Sequence, residues 1–381
     1  MSRTLRLRAL IGVLLALSLL AAACGDSDDS GSDDAAADDS TAPVETTEAS
    51  ADTEAPAETD APADTEATEE TEAPTTLEPV VIRQACAPTA TALPGEVAVR
   101  NGLADEFAIS FECVQVGAGP EVATALVTDA IDLSGFTASN AYVLLEQDVD
   151  LVFFRQVTSA DFFDIVVKAD FPLPNADAGW EGVMQDLATA RIGVVARGAA
   201  AEDLARGLYS EAGLDPDQAT YVATGLPQTT LAALQNNEVD AAITFDPGIS
   251  LAVAQGIAIQ PFSVQEGTGP DRFNWPGLFT GTLRENVEDD PDLFERYVDF
   301  TNAATAYAAD PANRDEVLAV AEEFLGLPPE VTPLIVDRFL SQVTVDGVID
   351  RGGLDGIGVF FDEIGKTEST WTSDDFVVAV G

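Results

Sequence analysis

The chain reads as an α/β protein of two similar lobes. Two observations predict this. Short apolar runs bounded by turn residues alternate with helical segments, the pattern of a mainly parallel sheet. Part of that pattern also returns at a fixed spacing. "AIDLSGFTASN" (Ala130 to Asn140) is echoed by "EVDAAITFDPG", and Asp240 lies 108 residues after Asp132. In the same register Leu126 matches Leu234, Gln147 matches Gln255 and Phe154 matches Phe262. The bland alternative is that all βαβ units look alike.

The elements follow in order. "VVIRQACA" reads as a strand, and a small helix spans roughly Gly95 to Asn101. "AISFECVQV" is a second strand. "GPEVATALVTD" is a helix with Pro120 in its first turn, where proline costs nothing. "AIDLSGF", "SNAYVLLEQ" and "VDLVFFRQV" give strand, helix, strand. "FFDIVVKADF" then crosses into a second unit. There "GVMQDLATARIGVVARG", "AAEDLARGLYSEAGL", "ATYVATG", "LPQTTLAALQNNE", "VDAAITF" and "PGISLAVAQG" continue the alternation. "IAIQPFSV" is expected to be the strand that leaves it. From Val287 onward, apolar residues at three- and four-residue spacing predict a mostly helical tail.

Composition narrows the function. The 381 residues carry a formal charge of −50 and contain no histidine. Such acidity excludes a nucleic-acid partner, which needs basic patches. Without histidine there is no Ser-His-Asp or Cys-His enzyme, and the commonest metal ligand is missing. No metal or cofactor is expected.

The first 23 residues read as an export signal: Arg3, Arg6 and Arg8, an apolar run from Ala9 to Leu20, then "AAAC". Cys24 stands where a bacterial lipoprotein carries its lipid, with Ala21 in place of the usual leucine. The alternative is an ordinary secretory signal. Residues 24–79 form an acidic Thr/Pro/Ala-rich tether with no Lys, Arg or aromatic residue, unable to bury a core. In an exported protein the other two cysteines, Cys86 and Cys113, suggest one disulfide. Two buried thiols are the alternative.

Ligands of open parallel sheets bind at the carboxyl ends of strands. The loops there supply the candidate site: Pro88 and Thr89, Gly119, Phe136, Thr137, Ser139 and Asn140 in the first lobe. In the second they are Arg197, Gly198, Ala199, Phe245 and Asp246. Helix N-termini and glycines at such loops suit a polar ligand. Each residue also has a plain structural role. Ser139, Asn140 and Asp246 could cap helices, Phe136 and Phe245 could pack, and Arg197 could pair with Glu202.

"GPEVATALVTDAIDLSGFTASNAY", "QDLATARIGVVARG", "EAGLDPDQATYV" and "LAALQNNEVDAAITFDPGISLA" together resemble the substrate-binding proteins of nitrate/sulfonate/taurine and thiamine-precursor ABC importers. The resemblance runs from about Val80 to Phe262. It implies a type II periplasmic-binding-protein fold, with 80–160 and 263–381 as lobe one and 161–262 as lobe two. The strands near Phe163–Val167 and Gln260–Val264 would flank a hinge. It also implies a monomeric, non-enzymatic, lipid-anchored receptor that delivers a small molecule to a membrane permease. Gly198-Ala199-Ala200 departs from the family's Ser or Thr, which puts a sulfonate or nitrate in doubt. Trp275 would line the cleft or pack in the core; lining it would favour a flat, pyrimidine-like ligand. Two other functions stay open: a sensory surface lipoprotein, and an enzyme on the same fold.

Overall fold

The computed structural model describes residues 77–117, 120–367 and 371–380. Cys24, the tether up to residue 76 and Gly119 lie outside them. Strand β1 (Val80–Ala85) is followed by helices α1 (Leu93–Arg100) and α2 (Leu103–Glu106), strand β2 (Ile109–Val114) and helix α3 (Pro120–Val127). Next come β3 (Ser134–Phe136), α4 (Ala138–Leu145) and β4 (Leu151–Gln156). The chain then crosses to a second sheet. It is built from β5 (Asp164–Lys168), α5 (Trp180–Asp186), β6 (Arg191–Val194), α6 (Ala200–Glu211), β7 (Thr220–Ala223), α7 (Pro227–Gln235), β8 (Ala241–Thr244), α8 (Gly248–Ala254) and β9 (Ala258–Ile259). After crossing back it forms β10 (Phe279–Leu283) and the helices α9 (Arg284–Asp289), α10 (Pro291–Ala309), α11 (Arg314–Leu325), α12 (Thr332–Leu340), α13 (Arg351–Glu363) and α14 (Ser373–Phe376).

The two sheets share one plan. In the second the order is β7-β6-β8-β5-β9. In the first, β2-β1 and β3-β10-β4 are joined by a parallel bridge from Gln84 to Leu133, which gives β2-β1-β3-β10-β4. The first three strands of each sheet run parallel. The fourth is antiparallel to both its neighbours and is the strand that follows a crossing. This is a bilobal mixed α/β fold with helices flanking the sheets and a helical C-terminal region.

The repeated aspartates have the same job in both sheets. The Arg83 amide donates to Asp132 Oδ2 at 2.7 Å, its Nε to Oδ1 at 3.1 Å and its Nη1 to the Asp129 carbonyl at 2.7 Å. One repeat later the Arg191 amide donates to Asp240 Oδ2 at 2.8 Å, its Nε to the same oxygen at 3.0 Å and its Nη1 to the Asn237 carbonyl at 2.7 Å. The turn residues Asp129 and Asn237 both have φ +59°. Each clamp ties a strand residue, Arg83 within β1 or Arg191 at the start of β6, to the turn just before the parallel neighbour, β3 or β8.

Two features differ from expectation. Residues 260–264 are not a strand. Pro261 offers no N–H for a ladder, and the Gln260 side chain, the Ser263 side chain and the Val264 amide all bond to Asp164. Strand β10 has no counterpart among the expected elements; it lies between β3 and β4, and a Cβ on its Gly281 would meet the Val152 carbonyl at 2.9 Å.

Cys86 and Cys113 form a disulfide with Cα atoms 5.4 Å apart, across the parallel pair β1–β2. It closes a loop of 27 residues. Chain-entropy arguments give such a loop about 3–4 kcal/mol. Cys113→Ala is therefore expected to lower the urea midpoint by that equivalent, and reduction of the wild type should match it.

Candidate ligand-binding site

The first sheet brings Thr89 and Thr91 to the cleft edge after β1, their hydroxyls 2.9 Å apart, while Pro88 is exposed. After β3 the predicted residues divide. Phe136 is 1% exposed and belongs to the main apolar cluster, so it packs rather than facing a ligand. Thr137 and Asn140 form a reciprocal cap on α4: the Asn140 amide bonds to Thr137 Oγ1 and the Thr137 amide to Asn140 Oδ1. Ser139 does something else. Its hydroxyl reaches the second half of the molecule and donates to Asp203 Oδ2 at 2.8 Å.

Asp203 lies buried in the first turn of α6, and its partner Lys366 is partly buried. The Lys366 ammonium donates to Asp203, to Ser139 Oγ at 2.8 Å and to the Gly198 carbonyl at 3.2 Å. Burial pushes the Asp203 carboxyl up, and Lys366 works against that. Beside it, Arg197 is turned to its own helix. Its Nε donates to Glu202 at 2.7 Å and its Nη1 to the Tyr221 carbonyl at 3.0 Å. The Gly198 amide donates to the same Glu202 at 2.8 Å. Burial opposes ionisation of Glu202, but Arg197, this amide and Arg206 outweigh it and hold the carboxyl at about 2. Ala199 begins α6 with no side-chain cap.

The "FDPG" loop carries the other predicted pair. Asp246 stands one residue before the N-cap Pro247 of α8, accepting from the Ser250 amide at 2.8 Å. Its second oxygen accepts from Arg338 Nη1 at 3.3 Å, so α12 of the helical tail closes over this loop. Arg338 Nη2 also reaches Gln260 and Glu266, each at 3.3 Å. Phe245 stands edge-on to Phe162 and Phe163, with ring centres 5.3 and 5.6 Å away. Trp275 donates its indole N–H to Asp161 at 3.2 Å and packs on Phe273 and Phe360.

Around Phe245 and Asp246 there is a small chamber. Phe162, Phe245 and Phe339 give it aromatic walls, and Asp246, Arg338 and Gln265 give it polar groups. Its volume of 30 Å³ is the share of one water molecule. Arg338, Gln265 and Gln342 also line an outer groove of 540 Å³ between α12 and the two crossing segments. Chamber and groove thus share three lining residues, and the groove alone falls in the size range of small-molecule sites, about 300–1,000 Å³.

Phe162, Gln265, Arg338, Phe339, Gln342, Asp203 and Lys366 are not among the residues expected from sequence. Arg338 left one signal: it is a lone base beside the apolar stripe Ile335, Val336, Phe339 of α12. Lys366 left none.

No group of His, Cys, Asp or Glu is placed to hold a metal among the described residues, and none of the described helices is long and apolar enough to cross a membrane. The model of the NMT1-like family matches residues 76–322. The chain belongs to that family. No curated protein matches it. Solved structures of this NMT1-like chain's fold include the alkanesulfonate-binding protein SsuA from Xanthomonas axonopodis pv. citri, bound to MOPS. It is 19% identical, with 80% of this chain and 99% of that one covered and a TM-score of 0.66. The SsuA of Escherichia coli is 20% identical over 77% of this chain and 95% of that one, TM-score 0.59. The periplasmic nitrate-binding protein NrtA from Synechocystis PCC 6803 is 13% identical over 79% and 86%, TM-score 0.63. The shared fold is that of periplasmic binding proteins.

Proposed function

We propose that this NMT1-like chain is a lipid-anchored, extracytoplasmic solute-binding protein of an ABC importer. It would capture a small organic molecule between lobe one, 80–160 with 263–381, and lobe two, 161–262, and hand it to a permease. Cys24 would carry the lipid, 24–79 would be the tether after a signal of 23 residues, and the unit would work as a monomer. The observation that carries this reading is the chamber. Ala90 and Thr91 after β1, Phe162 on a crossing segment, Phe245 and Asp246 after β8, and Arg338 and Phe339 of α12 all converge on it. These residues come from both lobes, so a ligand that touches them all would favour closure. The neighbours SsuA and NrtA, named for binding alkanesulfonate or nitrate, support a binder rather than an enzyme.

Three phenylalanines beside one carboxylate suit a flat ring with a hydrogen-bonding edge, such as a pyrimidine. Mass spectrometry of molecules released from the purified protein, followed by thermal melts, tests this. A true ligand at 100 times its Kd stabilises by about 2.7 kcal/mol. Phe245→Ala and Arg338→Ala should each weaken it about tenfold or more, without loss of fold. A shift that survives both substitutions would place the site elsewhere. If no small molecule moves the melt, solute binding itself fails.

A further inference from the structure

We infer that the ligand of this site carries no net negative charge, and that Asp203 is the residue that excludes anions. The inference rests on the solute-binding reading above and is carried by an account of the cations. Between residues 77 and 381 the chain has fourteen Lys and Arg residues, and the residues outside the described set there include none. Twelve of the fourteen lie within ion-pair distance of a carboxylate. Among them are Arg338, which lines the chamber and pairs with Asp246 and Glu266, Arg197 with Glu202, and Lys366 with Asp203, where Ser139 of the first lobe meets α6 of the second.

The two cations without a carboxylate are not available to a ligand. Arg155 is 3% exposed and donates to Asn302, Thr305 and the carbonyls of Gln156 and Thr344. Arg296 donates to the Glu78 carbonyl, before the amino end of β1 and opposite the cleft edge.

Asp203 is the strongest case. Its carboxylate sits against an ammonium and a hydroxyl, Lys366 and Ser139, which are the donors a carboxylate or sulfonate ligand would seek. The chain's own anion therefore occupies that place in this structure. An incoming anion would have to displace it, or be buried beside it unpaired, and both are costly. Around the site the folded part carries fourteen basic and forty-eight acidic residues from Val80 onward. That field repels anions and gathers cations. A neutral or cationic molecule meets neither obstacle.

The test is a set of thermal melts on the exported protein, at constant ionic strength made up with chloride. Methanesulfonate, nitrate and acetate are the anionic probes, beside a panel of neutral and cationic heterocycles. The wild type is expected to ignore all three anions. Asp203→Ala opens a cationic hole the size of a carboxylate, so acetate or methanesulfonate should raise its Tm by about 5 °C at 100 times the Kd. The double variant Asp203→Ala, Lys366→Met should lose that response. A wild-type shift with methanesulfonate or nitrate overturns the charge assignment while leaving solute binding intact. So does an Asp203→Ala response no larger than the double variant's. If no heterocycle shifts the wild type, solute binding fails, and the Asp203→Ala comparison decides the charge assignment alone. The wild-type arm with anions stands even if Asp203→Ala does not fold.

Discussion

Gly277→Ala is expected to be among the most damaging single substitutions, costing about 3 kcal/mol or more. Gly277 lies just before β10, where the returning segment presses on the outgoing one backbone to backbone. A Cβ there would meet the Ala160 carbonyl oxygen at 2.5 Å, the Asp161 Cα at 2.8 Å and the Phe162 amide nitrogen at 2.9 Å. A flexible side chain could swing away, but main-chain atoms of both crossings cannot. The substitution must pry apart the two segments that join the sheets. Urea denaturation measures the loss. Gly356→Ala is the control: it lies inside helix α13, and a Cβ there meets nothing within 4 Å. It should stabilise by about 0.5–1 kcal/mol through helix propensity. Equal midpoints for the two variants would refute the packing argument.

The second large effect is of pH. Asp161 and Asp164 both sit where the crossings meet. Asp161 accepts from the Phe163 amide at 3.0 Å and from Trp275. Asp164 accepts from Gln260 at 2.8 Å and from the Val264 amide at 3.0 Å. Burial pushes each carboxyl up to about 6, against these hydrogen bonds. In the unfolded chain an aspartate titrates near 3.9. Between those values the folded protein holds more protons, so stability falls as pH rises. The contribution is complete below about pH 4 and is lost as pH climbs through about 6. By linkage, a carboxyl raised that far makes a difference of about 3 kcal/mol across the window. Urea midpoints from pH 4 to 7 in molar salt isolate this effect, because salt screens surface repulsion and leaves buried groups nearly untouched. Asp161→Asn removes the charge and keeps one acceptor, for either Trp275 or the Phe163 amide. It should flatten the curve in part, since Asp164, Asp203 and Asp246 are also pushed up by burial, and raise stability at pH 7. An unchanged slope would mean that Asp161 stays ionised in the fold.

Most strands and helices were legible because their apolar spacing is local. The spacing of 108 between Asp132 and Asp240 was legible too, and its cause is the repeated arginine clamp. Strand β10 was not. "FTGTL" is short and contains a glycine, and its strand character comes from lying between β3 and β4, each more than a hundred residues earlier. At the site, the loops are legible but the partners are not. Asp203 looks like an ordinary first-turn acid, since its cation is 163 residues away in sequence. Asp246 reads as a cap; it stands one residue before the N-cap Pro247 and accepts from the Ser250 amide, while its second oxygen serves Arg338, 92 residues on. Pairings of that range leave no periodic trace. Phe136 and Phe245 look alike in the sequence and both are buried in the main apolar cluster, yet only Phe245 also lines the chamber.

The exchanged strands also set an order of assembly. All five strands of the second sheet, β5 to β9, come from one unbroken stretch, Asp164 to Ile259. The first sheet lacks its β10 until residue 283 has emerged. During synthesis or export the later half can therefore close while the earlier half still holds an open slot between β3 and β4. Two unpaired strand edges face each other across that slot, and such edges recruit foreign strands. The vulnerable interval for aggregation is then the arrival of twenty-four residues, from Gln260 to Leu283, rather than the folding of the whole chain.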